Sequence, residues 1–187
     1  MKPKNHKNTL EKGICELKEI KKINIKIPKK FIISKIQENN CYLLWNKYKK
    51  ECNRLHNYKT LRLYHLTETS NVKSICKNGF DISLSRMRAF GKGINLANTI
   101  SHLKHYYNMY KNKNNNVSII VCEVCVKKSH ENESDITADK FIEKYGYSKP
   151  KYMSPKKGYD SMYAGPIWII PSSSRVYPSF VIEGKFI

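Results

Sequence analysis

The stretch LRLYHLTETSNVKSICKNGFDISLSRMRAFGKGINLA, from Leu61 to Ala97, constrains the fold more than any other part of the chain. From Leu61 to Leu66 it reads as a strand with His65 near its end. Thr69 or Ser70 then supplies an N-cap, Val72, Ile75 and Cys76 a buried face, and Asn78-Gly79 a helix stop. An exposed loop from Asp81 to Phe90 carries Arg86 and Arg88, and Gly91-Lys-Gly93 turns the chain tightly into a second strand, Ile94–Ala97. Strand, capped helix, basic loop and second strand together line a cleft, and the rest of the chain reads as its support.

The flanking segments follow from periodicity and turn chemistry. Residues 1–27 alternate lysine with isolated apolar residues and read as a basic, partly ordered arm that Pro28 ends. A strand is expected over Phe31–Ile36. In NNCYLLWNKYKKECNRL, Leu44, Tyr48, Cys52 and Leu55 recur at helical spacing, with Trp45 beside the stripe and a lysine-rich solvated face opposite. Asn98 or Thr99 caps a further helix with Ile100, Leu103, Tyr107 and Tyr110 along one side, ended by the polar KNKNNN run. Val117–Val126 is a continuous apolar run of the kind found in a central strand. A short helix over Ser134–Tyr145 closes at Gly146, and strands over Pro166–Pro171 and Val176–Phe186 finish the chain.

Composition narrows the class. A chain of 187 residues with 40% hydrophobic content is a globular domain with a real core. No apolar run reaches membrane-spanning length, and MKPKNHKNTLEKG lacks the apolar core of a secretory signal, so an intracellular protein is expected, with no membrane partner. The net charge of +20 is almost all lysine: Arg54, Arg62, Arg86, Arg88 and Arg175 are the only arginines. Lysines meet phosphates as point charges, whereas base reading leans on the arginine fork, so the charge allows non-specific nucleic-acid contact and does not define a function. Cys122-Glu-Val-Cys125 has a redox or metal spacing, but on a strand an offset of three sends the two sulfurs to opposite faces, which reads as two core cysteines. His102 and His105 share a helix face without further ligands beside them, so no metal is expected.

Several segments, in order, resemble the PARP-type (diphtheria-toxin-like) ADP-ribosyltransferase catalytic domain. IQENNCYLLWNKYKKE is similar to that family's first strand and helix, LYHLT to its Leu-Phe-His-Gly-Thr strand, and NVKSICKNGFD to the helix and Gly-Phe that follow. AFGKGINLANTISHLKHYY resembles its Tyr-Gly-Lys-Gly-Ile-Tyr-Phe-Ala segment, and GYDSM and RVYPSFVIEGKF its C-terminal signatures. The resemblance covers residues 28–187 and has no counterpart of the regulatory helical bundle of polymer-forming members. It implies an α+β fold of two packed, mostly antiparallel sheets flanked by short helices, with an NAD cleft between them. It also implies cleavage of NAD+ at the nicotinamide–ribose bond and transfer of ADP-ribose to an acceptor, expected to be a protein, with a nucleic-acid end as the alternative.

The resemblance assigns site residues by position. His65 takes the place of the histidine that hydrogen-bonds the nicotinamide ribose, and Tyr106 that of the ring that stacks on nicotinamide, with a core tyrosine as the alternative. The second motif position, a tyrosine in the family, is Asn95, which can hydrogen-bond but cannot supply an aromatic wall. Leu66 stands where a glycine clamps the nicotinamide amide, keeping the backbone groups but placing a bulky side chain nearby. Leu103 replaces a serine that bonds the same amide, which removes a polar partner from a dry site. The third motif position, glutamate in polymer-forming members, falls at Ile167, or at Trp168 if the register slips by one residue. An isoleucine neither polarises a hydroxyl nor acts as a base, which implies mono-ADP-ribosylation. The four departures together leave a second reading open: a PARP-like binding or interaction module without turnover. A third, weaker reading is a basic nucleic-acid-binding protein using the N-terminal lysines and the Arg86–Arg88 loop.

Overall fold

The computed structural model describes residues 24–84, 91–132 and 154–187. In chain order these form β1 (Phe31–Glu38), α1 (Tyr42–Leu55), β2 (Lys59–Thr67), α2 (Thr69–Asn78) and, after a 3-10 turn at Ile82–Leu84, β3 (Ile94–Ala97). Next come α3 (Ile100–Leu103), a 3-10 turn at Lys104–Tyr106, α4 (Tyr107–Tyr110) and β4 (Val117–Val126). The chain ends with β5 (Ser129–Glu131), β6 (Ser161–Ala164), β7 (Ile167–Ile170), a 3-10 turn at Ser173–Arg175 and β8 (Val176–Phe186). Most of the expected N-terminal arm, the Arg86–Arg88 segment and the expected helix over Ser134–Tyr145 lie outside the described residues.

The strands form one sheet in the order β1-β8-β4-β2-β3-β7-β6-β5. Every pairing is antiparallel except β5 with β6. The α+β class and the mostly antiparallel pairing agree with expectation, but the two expected sheets are hydrogen-bonded into one. Their junction is narrow: β2 and β3 pair at one position only, Tyr64 with Ala97. Two four-stranded halves therefore meet at a single bridge.

The apolar run of β4 lies between β2 and β8, buried along its length except at Glu123. Cys122 packs on one face with Leu63, Phe80 and Leu96, and Cys125 on the other with Cys52, Leu55 and Tyr177. The opposite-face reading of the two cysteines therefore holds. The buried residues of α1 are Leu44, Tyr48, Cys52 and Leu55, the stripe read from the periodicity. Burial of each of its two leucines stabilises by roughly 1.5–3 kcal/mol.

Three local expectations need correction. The N-cap of α2 is Glu68, with no side-chain cap bond. Thr69 Oγ1 is used elsewhere, accepting from the Ser118 hydroxyl at 3.0 Å. Val72, Ile75 and Cys76 are only half-buried, because α2 lies at the protein surface. The single helix expected after Thr99 is broken by the 3-10 turn at Lys104–Tyr106. That tighter winding advances the side chains, so Tyr106 as well as Tyr107 and Tyr110 packs against the core. Strands β5 and β6 had no counterpart in the sequence reading.

The turn glycines meet distinct demands. Gly79 stops α2 at φ 83°, and its N–H donates to the Ile75 carbonyl at 2.9 Å. At Gly93 a Cβ would lie 2.8 Å from the Ile170 carbonyl oxygen, so the β3–β7 pairing needs a residue without a side chain there.

Candidate active site

His65 is placed by the end of the β2–β3 ladder. Beyond the Tyr64–Ala97 bridge the strands no longer pair, and the Asn95 carbonyl is taken by the His65 ring, with Nδ1 3.0 Å away. A carbonyl only accepts, so Nδ1 carries the proton and donates. In the neutral ring Nε2 is then an acceptor, suited to a hydroxyl donor such as a ribose OH. The Phe80 ring meets His65 edge to face at 5.1 Å between centroids and fixes its plane. His65 keeps partial access to solvent. Dense surrounding protein nevertheless pushes its pKa below the ordinary imidazole value, and the bond to Asn95 opposes this only in part. The neutral, accepting form is thus favoured near neutral pH.

The other assigned residues form a second group. Leu66 and Leu103 share a core cluster with Ala97, Ile100 and Ile167, and Tyr106 packs against it. Strand alternation sends Leu66 to the face opposite His65, so its bulk lies in the core and not beside the His65 ring. Asn95 is half-buried in β3 and pairs with Ile169, while Ile167 pairs with Ala97 two residues along. Directly opposed residues share a face, so Asn95, Ala97, Ile167 and Ile169 line one side of the β3–β7 ribbon. Trp168 points to the other side, where it packs with the Leu63–Leu96 cluster and donates from Nε1 to Asn98 Oδ1 at 2.6 Å. The structure thus joins His65 to the backbone of Asn95, and Ile167 to the Leu66–Leu103–Tyr106 group.

The sequence reading did not single out Phe80 as the support of His65. Its Gly-Phe pair after a helix stop was the available signal, but the ring contact depends on how the loop folds back. Thr67, buried two residues beyond His65, accepts from Asn71 Nδ2 at 3.3 Å, a polar pair that was also missed. A depression of about 430 Å³ adjoins the site through Phe80 and is lined further by Ser74, Asn78, Asp81, Ser83 and Ser173. Among the described residues no three His, Cys, Asp or Glu side chains converge as metal ligands would. His102 instead shares a 2.8 Å hydrogen bond with Thr99 Oγ1.

No curated protein matches the chain. The family model described as the poly(ADP-ribose) polymerase catalytic domain matches residues 15–185, almost the whole sequence. With this match, and with a mixed sheet-and-helix architecture consistent with that fold, the chain belongs to the poly(ADP-ribose) polymerase catalytic-domain family, a family of NAD+-dependent ADP-ribosyltransferases.

Proposed function

We propose that the protein is a mono-ADP-ribosyltransferase that uses NAD+ as substrate and modifies a protein acceptor. The observation that carries this reading is the His65 arrangement: a neutral imidazole whose Nδ1–H is committed to the Asn95 carbonyl, leaving Nε2 to accept from a ribose hydroxyl. A ribose held in this way is oriented before its C1′–nitrogen bond breaks, and orientation lowers the barrier. Nicotinamide leaves with the bonding electron pair, positive charge develops on the ribose, and an acceptor carboxylate oxygen attacks C1′. The polar depression beside Phe80 lies next to this histidine and is where the rest of the dinucleotide would extend.

The acceptor supplies its own carboxylate in this scheme, because Ile167 is buried among apolar side chains. A growing chain would need a group that activates a ribose hydroxyl at the third motif position, and isoleucine has none. A second reading, an NAD-independent interaction module, is favoured by Leu103, buried where the family carries an amide-binding serine.

Incubation with labelled NAD+ and candidate acceptor proteins tests the proposal. Label should appear as single, non-elongated additions, at a rate reduced roughly ten-fold or more by His65→Ala. Ladders of lengthening product would refute single transfer. Absence of label from a folded wild type, together with no heat of NAD+ binding, would favour the interaction module.

A further inference from the structure

Helix α1 shows on its solvent face a feature that the buried stripe does not explain. Tyr42 is 72% exposed, Leu43 71% and Trp45 39%, an unusual amount of large apolar surface for one end of a helix. Trp45 is nevertheless held in place. Its ring lies edge-on to Tyr177 at 5.0 Å and against Tyr48 at 5.6 Å, so the residue is anchored on its inner side and only 39% of it is open to water. Lys49 Nζ sits 5.6 Å from the Trp45 ring centroid. Tyr42, Trp45 and Lys49 follow at i, i+3 and i+7, which places them along one flank over roughly 10 Å of helix axis. Lys50 and Lys47 are exposed further round the solvent face, about 80° and 140° from Tyr42, so a strand laid across the helix meets them after the rings. The only acid of α1, Glu51, is engaged by Arg54 and Arg175, so it does not offset this charge.

We propose that this face of α1 is a docking strip for single-stranded nucleic acid, with Tyr42 and Trp45 stacking on bases and Lys47, Lys49 and Lys50 meeting phosphates. Flat, partly anchored rings beside lysines are the combination that binds single strands without sequence preference: every base has a face to stack, and every linkage carries a charge. An acidic protein surface would match the charge but would leave the two exposed rings without stacking partners. The net charge of +20 favours encounter with any polyanion, so discrimination rests on the rings. The proposal is independent of NAD+ turnover.

The test is fluorescence anisotropy of fluorescein-labelled oligothymidylate with the full chain, polyglutamate of matched charge serving as competitor. Wild type should bind with quenching of tryptophan emission, and affinity should fall steeply with salt. Tyr42→Ala removes an exposed ring and leaves the core intact; it should weaken binding about five-fold or more. Trp45→Leu should do the same and abolish the quench, with circular dichroism confirming the fold, and a Lys47→Glu, Lys50→Glu double variant should flatten the salt dependence. The proposal is overturned if wild type does not bind, if Tyr42→Ala binds as wild type does, or if polyglutamate competes as well as unlabelled oligothymidylate. The last result would mark an acidic-protein surface instead.

Discussion

Replacing Arg175 by methionine should cost more stability than any surface charge change, because its guanidinium ties three separate parts of the fold together. Arg175 is 9% exposed, donates from Nε to Glu51 of α1 at 3.1 Å, and from Nη1 to the Asp160 carbonyl at 2.9 Å. Asp160 in turn accepts from the Lys127 N–H at 2.9 Å and the Ser161 hydroxyl at 3.0 Å, which links the exits of β4 and the start of β6. Removing one member of a fully buried pair costs about 3–5 kcal/mol. Here the Glu51 and Asp160 side chains each keep 14% exposure, and Glu51 retains Arg54, so about 2–3 kcal/mol is expected. For a domain of this size that lowers Tm by roughly 5–10 °C.

The same network sets an acid limit. Arg54, and after it Arg175, hold the Glu51 carboxyl down from its ordinary 4.5 to about 2 against the opposing effect of burial. A carboxyl depressed in the folded state stabilises fully above 4.5 and loses that contribution as pH falls toward about 2. Urea denaturation of wild type, Arg175→Met, Glu51→Gln and the double variant, at neutral pH and across that acid window, measures both effects. A stability loss below about 0.5 kcal/mol for Arg175→Met, or strict additivity of the two substitutions, would refute the network account.

Further outcomes follow from other sites. Gly93→Ala forces a methyl to 2.8 Å from the Ile170 carbonyl, so β3 must shift from β7; a loss of about 1–3 kcal/mol in urea denaturation is expected. Burial lowers the His65 pKa below 6.5, so the acid limb of a pH–rate profile should fall below that of a free imidazole; a limb at or above 6.5 would count against the neutral-acceptor role. Burial raises the Cys122 thiol well above its ordinary value, and burial with Cys52 beside it brings Cys125 up to about 12. Aromatic disulfide titration of the native protein should therefore modify half-exposed Cys41 well before Cys52, Cys122 or Cys125, which should react only on unfolding.

Legibility in the sequence tracked how local the physics was. The α1 stripe and the β4 run could be read directly, because four residues at helical spacing and ten consecutive largely buried positions are determined by the segment itself. The stop at Gly79 was equally local. Strand β5 owes its existence to β6, a partner distant in sequence, with His130 receiving the Lys156 N–H at 3.1 Å. Strand β6 pairs with neighbouring β7, but its run Ser161–Ala164 is short and carries no apolar–polar alternation that would mark it. The 3-10 break before α4 was hidden because Ile100, Leu103, Tyr107 and Tyr110 satisfy a continuous helical pattern that the fold does not use. At the site, His65 stood out as a strand-end histidine. Its bond to the Asn95 carbonyl did not, since it exists only where the β2–β3 ladder stops. The side of β2 on which Leu66 falls depended likewise on register.

Nicotinamide release from NAD+ by purified wild type and by His65→Ala, both shown to be folded, tests the central claim most directly. Wild type should release nicotinamide, and His65→Ala should be slower by roughly ten- to hundred-fold, the loss expected for one oriented hydrogen bond in a partly desolvated site. Equal rates for the two proteins, or no release by wild type, would contradict the role given to His65 and the turnover built on it.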